Sequence, residues 1–198
     1  RQLIKFQIPS PFHKPTANSA KFWVKPYLEL FRLIRHFGSL KFDELKMFGL
    51  QLVDYREFDT IVDKINQFRV AKAQNEGNYK RFRAEYFERV LREIYSVEIS
   101  SGNTKTRETN DDSIANFLDT KASNMRDYAD ACVRYLRATG LVNISHIGKS
   151  LSIVPEKIQE VDYFLQHTDR EPCFIDNESQ YVAYLGNPLI PRLLTDNR

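Results

Sequence analysis

Fourteen residues after Gly140, LVNISHIGKSLSIV, alternate apolar and polar side chains around His146, Gly148 and Lys149. Period two on both sides of a turn is the pattern of a β-hairpin, since successive side chains of a strand point to opposite faces. Only pairing that sets Val142 and Ile144 across from Leu151 and Ile153 buries both sets at once. Directly upstream, Met125, Tyr128, Ala129, Cys132, Tyr135 and Leu136 recur at helical spacing, so a helix runs toward the hairpin and Gly140 stops it. Helix, turn, helix and hairpin in that order predict a winged helix, in which the second helix enters a major groove and the hairpin forms the wing.

The segments before this unit are helical as well. Residues 1–26 hold Pro9, Pro11, Pro15 and Pro26 with no sustained period, and are expected to form an extended arm anchored at Trp23. Leu28, Phe31, Leu33, Ile34 and Phe37 define a helix that Gly38 ends, with Ser39 capping the next. Phe42, Leu45, Phe48, Gly49 and Leu52 continue as a second helix, and Phe58, Ile61, Val62, Ile65 and Phe68 as a third. After the break at Gly77 and Asn78, residues 79–94 are strongly amphipathic. Residues 100–113, SSGNTKTRETNDDS, bury nothing and are expected to be an exposed loop. Ile114, Phe117 and Leu118 then predict a short helix, residues 119–122 a turn, and Ser123 the N-cap of the longer helix. A last helix is expected from about Pro155 to His167, followed by an irregular tail.

A hydrophobic fraction of 42% and an aromatic fraction of 13% exclude intrinsic disorder. Two separated cysteines and four scattered histidines argue against a zinc site and for a reducing, cytoplasmic setting. No apolar run is long enough to span a bilayer, so no membrane partner is expected. Arg1 stands where an intact chain would start with Met, as expected of a fragment. The net charge is only +3, but residues 1–99 carry 18 Lys/Arg against 12 Asp/Glu while residues 100–198 carry 11 against 14. That asymmetry is compatible with a polyanion and does not require one.

The sharpest candidate residues surround Ser123. Lys121 in the turn and Asn124, Arg126 and Asp127 in the first turns of the helix are the types that read base edges. Arg can bond guanine through two donors, and Asn can bond adenine through a donor and an acceptor. The competing reading is a solvated face on which Arg126, Asp130 and Arg134 pair at i,i+4. Lys105 and Arg107 in the loop and Lys149 at the hairpin tip are candidates for phosphate contacts, which position without specifying. The basic residues of the 79–94 helix alternate with Glu85, Glu88 and Glu93, as on an ordinary exposed face. No catalytic constellation stands out. The acid-x-lysine triplets Glu44-Leu45-Lys46 and Asp119-Thr120-Lys121 fall on helix or turn patterns, not on the strands that a magnesium nuclease site needs.

The stretches KFQIPSPFHK, HFGSLKFDELKMFGLQ, INQFR, NMRDYADACVRYLRATGLV and YLGNPLIPRL resemble the AlwI family of type IIS restriction and nicking endonucleases. Within them NxRDxADAxxRYxRxTGL is the specific pattern. Met125, Tyr128 and Cys132 depart from the family on the face expected to be buried. The resemblance implies the DNA-recognition region of such an enzyme, tethered in the parent protein to a separate magnesium-dependent nuclease domain that this chain lacks. It places Lys121, Asn124, Arg126 and Asp127 at the DNA-facing start of the recognition helix. The expected architecture is mainly α, with tandem helix-turn-helix or winged-helix modules and a small β-hairpin wing. Residues 1–26 form the arm, 27–76 a wingless helical module, 79–168 the winged helix and 169–198 the tail. The expected partner is double-stranded DNA, bound by a monomer that carries no cofactor of its own. The alternative is a winged helix that scaffolds proteins without binding DNA.

Overall fold

The structure, a computed structural model, describes residues 2–11, 21–101, 111–146, 149–175 and 177–186. In chain order the elements are α1 (Gln2–Lys5), α2 (Pro26–Phe37), β1 (Ser39–Lys41), α3 (Phe42–Met47), α4 (Phe58–Gln74), α5 (Tyr79–Ile94), α6 (Ser96–Ser100), α7 (Asp111–Ala138), β2 (Val142–Ser145), β3 (Ser150–Ile153), α8 (Ile158–His167) and α9 (Glu178–Gly186). The protein is mainly α, as its periodicity predicts. None of the described helices is long and apolar enough to cross a membrane.

Helix α2 organises the rest. Pro26 opens it with a backbone already set for a helix, and Gly38 closes it with φ of 69°, a left-handed conformation that costs glycine little. Leu28, Leu30, Phe31, Leu33 and Ile34 are all buried, so most of its circumference is covered. A helix apolar on so many sides has to be wrapped by neighbours. One neighbour is the sheet, and another is α8, where Phe164 meets Phe31 edge to face with ring centroids 5.2 Å apart. A third is the turn after α3, residues 49–51: a Cβ on Gly49 would stand 3.1 Å from Leu30 Cδ2, so glycine lets that turn lie close against α2.

The expected hairpin forms in the expected register, with Val142 paired to Ile153 and Ile144 to Leu151. Sequence patterning missed the third strand. Ser39 does not cap a helix; it starts β1, which pairs antiparallel with β3 and sets Leu40 beside Leu151. The order is β1-β3-β2, with β3 in the centre. One core joins Leu28, Leu45 and Phe68 with Leu136, Leu151 and Phe164, so segments on both sides of Gly77 contribute to it.

Three further expectations need correction. No turn interrupts residues 119–122 and Ser123 caps nothing, because α7 runs unbroken from Asp111 to Ala138. Leu118, Met125, Ala129 and Leu136 keep one buried stripe through the expected turn, whereas Tyr128 and Tyr135, expected on that face, are exposed. The Thr120 hydroxyl donates to the Asn116 carbonyl at 2.9 Å, a bond made within the helix and not in place of it. The arm has more anchors than Trp23: Ile4 and Val24 are buried, and Ile8 bridges to Val24. The segment after α8 is not merely irregular, since it docks on α2 through Arg170 and contains α9.

A buried carboxylate fastens α3 to its surroundings. Glu44, 2% exposed, accepts two bonds from Arg69 of α4 at 2.7 and 2.8 Å and one from the Lys41 backbone N–H at 2.8 Å. Arg69 also donates to the Ser39 carbonyl at 2.9 Å and lies over the Phe37 ring. Glu44→Ala is therefore expected to cost about 3 kcal/mol, because it strands a partly buried guanidinium and frees the first turn of α3. Urea unfolding checks this: the midpoint should fall while the slope with denaturant stays unchanged.

Candidate nucleic-acid interface

The continuity of α7 redistributes the residues that the sequence grouped together. Asn124, Arg126 and Asp127 are exposed, but they lie in the middle of a helix and not at its N-terminus. At about 100° per residue, Asn124 and Arg126 point about 200° apart and cannot share one surface. Lys121 turns elsewhere, with its ammonium 4.7 Å from the Tyr95 ring centroid and 5.0 Å from that of Phe117. Lys105 and Arg107 lie outside the described residues.

The structure does bring Arg126 and Lys149 together. Both line an open cleft of about 600 Å³ between α7 and the hairpin, shared with Lys46 of α3, Arg83 of α5, Asp130 and His146. A second hollow continues from it past Lys41, Asp43, Lys72 and Tyr79. Lys149, just before β3, is held in place: its carbonyl accepts the Phe42 N–H at 2.8 Å. Lys149 itself has φ of 45°, a left-handed backbone that a non-glycine residue adopts at some cost.

Asp43 organises the cations behind this surface. It accepts two bonds from Arg83, both at 2.6 Å, and one from the Tyr79 hydroxyl at 3.2 Å, and it lies 3.8 Å from the Lys46 ammonium. Burial pushes its carboxyl up, but Arg83, Lys46 and Tyr79 outweigh burial and hold it below the ordinary value of 3.8. Lys46 is 5% exposed, with its ammonium 3.8 Å from the Phe87 ring centroid. Burial pushes its pKa down; Asp43 opposes that shift, while Arg83 and Arg126 add to it. On the floor of the cleft Lys46 and Arg83 thus repel each other and share Asp43.

The two exposed basic helices differ in how their charges are used. On α5, Arg81 pairs with Glu85 at 2.7 Å, Arg92 with Glu88 at 2.8 Å, and Glu93 with Lys64 of α4 at 3.1 Å, as an ordinary solvated face would. On α7 the i,i+4 pairs are not formed: among the described residues Arg126, Arg134 and Arg137 make no ion pair within 4.0 Å. Lys46 and Arg83 were not singled out from the sequence as contact residues. For Arg83 a signal existed, since positions four before and after it are Tyr79 and Phe87, so no helical carboxylate can neutralise it.

The described residues do not fit a magnesium nuclease site. Glu44 is committed to Arg69, Lys121 packs on two rings, and Asp119 stands on a helix. No group of three or more His, Cys, Asp or Glu among the described residues is placed to hold a metal ion.

The protein is mainly helical and carries a cleft lined largely by cations beside a short hairpin. Its sequence matches the AlwI restriction endonuclease family over residues 1–198, the whole chain, and the protein belongs to that family. Restriction endonucleases are hydrolases that act on DNA, so family membership implies DNA as the partner. A search of curated proteins found no match.

The Asp43 network carries a pH signature. A carboxyl whose pKa is depressed in the folded state contributes stability that is complete above its ordinary value of 3.8 and is lost as pH falls below it. Asp43→Asn is expected to remove that contribution. Urea unfolding at about pH 6 and about pH 3 tests it: the wild type should lose more stability between the two than the variant does.

Proposed function

We propose that this chain is the sequence-specific double-stranded DNA recognition region of a type IIS restriction or nicking endonuclease. The observation that carries this reading is the cleft, where cations from α3, α5, α7 and the hairpin converge while Arg126, Arg134 and Arg137 of α7 remain unpaired among the described residues. At helical spacing these three arginines fall within about 80° of one another, on the flank of α7 that borders the hairpin. Duplex DNA, with two rows of phosphates flanking a groove, is the polyanion that matches a helix beside a basic hairpin.

The order α2, β1, α3, α7, β2, β3, with strands arranged β1-β3-β2, supports a winged helix. Its parts come from both ends of the chain, with α4, α5 and α6 inserted before its last helix, instead of forming two modules in tandem. In this arrangement α7 is the groove-facing helix and β2-β3 is the wing. Asp127 faces solvent on α7 and is free to meet base edges, Asn124 lies on the side of α7 away from the Arg126 flank, and Lys149 contacts phosphate. Lys105, Arg107 and Lys121 serve as outlying contacts to the backbone. Cleavage, and the magnesium ion it uses, belong to a nuclease domain of the parent protein. The recognition unit acts as a monomer in the cytoplasm.

Selection of bound duplexes from a random pool, followed by titration at several salt concentrations, tests the proposal. One sequence should be enriched, and its log binding constant should fall with log salt with a slope of about −4, as four or five phosphate contacts require. Absence of enrichment together with salt-independent binding would refute it and leave the protein-scaffold reading.

A further inference from the structure

The cleft between α7 and the hairpin has a more specific chemistry than a generally basic surface. Arg126 is of a type that can either fork onto guanine or clasp a phosphate, and its surroundings decide between the two. A guanine edge offers acceptors to an Arg while the paired cytosine adds a donor, so a site that reads the pair sets a free acceptor beside the Arg, whereas a phosphate offers acceptors alone. The charged neighbours of Arg126 on the cleft walls are instead mostly cationic: Lys46, Arg83 and Lys149, with His146 beside them. Two carboxylates are near. Asp43 is occupied by Arg83, Tyr79 and Lys46, and Asp130 lies one turn along α7 from Arg126 without pairing to it among the described residues. Lys46 adds a second argument, since an ammonium that is 5% exposed is desolvated and gains most from an anion delivered into the cleft.

We propose that this cleft is a phosphodiester clamp, in which Arg126 of α7 and Lys149 of the hairpin hold one DNA backbone phosphate between them over the Lys46–Arg83 floor. The inference rests on the DNA-recognition reading and assigns a role within it: Arg126 fixes register and does not read sequence. Two features prepare the site. The Phe42–Lys149 backbone bond ties the residue just before β3 to the start of α3, and Asp43 fixes the Arg83 side chain from below. Asp130 marks the limit of the site along α7, because a carboxylate repels phosphate.

Fluorescence anisotropy with the enriched duplex and a scrambled one tests the clamp on the whole chain. Arg126 and Lys149 are exposed and make no ion pair among the described residues, so their alanine variants should fold as the wild type does. Arg126→Ala and Lys149→Ala should each weaken both duplexes by the same factor, about tenfold, and make the salt slope shallower by about one unit. Arg126→Lys should keep most of the affinity, since a phosphate accepts a point charge whereas a guanine fork does not. Arg81→Ala, on the paired outer face of α5, should change nothing. In a scan of single neutral methylphosphonate substitutions, one position should weaken wild type but not Arg126→Ala, as two halves of one contact require.

If Arg126→Ala weakens only the enriched duplex and Arg126→Lys fails to restore it, Arg126 reads a base; the clamp is wrong and DNA recognition stands. If neither cleft variant affects a duplex that the wild type binds, the cleft is not the contact surface and the clamp is again overturned. Saturable displacement of duplex by inorganic phosphate, beyond what chloride of equal ionic strength achieves, would assign the cleft to a free phosphate ligand and refute the backbone assignment. A wild type that binds no duplex refutes both proposals.

Discussion

The buried carboxylate of Glu29 is the constraint around which the rest of the protein is arranged. It is 1% exposed on α2, a helix covered on most sides by apolar neighbours, and an unpaired charge there would be strongly destabilising. Arg170 meets it with two bonds at 2.9 and 2.7 Å and donates a third to the Tyr55 carbonyl at 2.8 Å. The residues that follow α8 must therefore fold back over the start of α2, where Lys25 fastens the same segment through the Asp169 carbonyl at 2.7 Å. With that end closed, the sheet, α3 and α8 take the remaining faces of α2. The Arg35–Asp162 pair at 2.7 Å lies on the exposed edge and adds little by comparison.

That arrangement creates the cleft. Strand β1 begins directly after α2 and draws β3 alongside it, so the hairpin projects next to the first turn of α3. Helix α7 crosses the other side of α3 and runs into β2, leaving a gap that α3 floors with Lys46 and α5 closes with Arg83. Charges of one sign meet there because each arrives on a different element. None is neutralised by the i,i+4 pairing that silences Arg81 and Arg92, since Arg126 does not pair with Asp130 among the described residues. The stability of α2 and the electrostatics of the cleft are thus two consequences of one packing arrangement.

The sequence disclosed what depends on local periodicity. The hairpin register was legible because a shift of one residue would turn Val142, Ile144, Leu151 and Ile153 away from the core. The helices α2, α4, α5 and α8 were legible from their apolar spacing. Strand β1 was not, since three residues with a single apolar side chain, Leu40, show no period and acquire their role from β3. The continuity of α7 was obscured by polar residues with turn preferences at 119–123, although the stripe from Leu118 to Met125 passed straight through them. Among the site residues, Arg126 and Lys149 were found from residue type and position. Lys46 and Asp43 were not read as contact residues because long-range packing sets them beside Arg83 and Arg126, and Arg83 offered only the lack of a helical carboxylate partner.

On the proposed function, DNA meets this protein on the flank of α7 that faces the hairpin. Nuclear magnetic resonance of the arginine Nε–H and backbone amide signals, followed while the enriched duplex is added, tests it most directly. The largest shifts are expected at the side chains of Arg126, Arg134 and Arg137 and at the amides of His146 and Lys149, with Arg81, Arg92 and Arg170 unmoved. Shifts concentrated on Arg81 and Arg92 of α5, with the cleft unaffected, would contradict it.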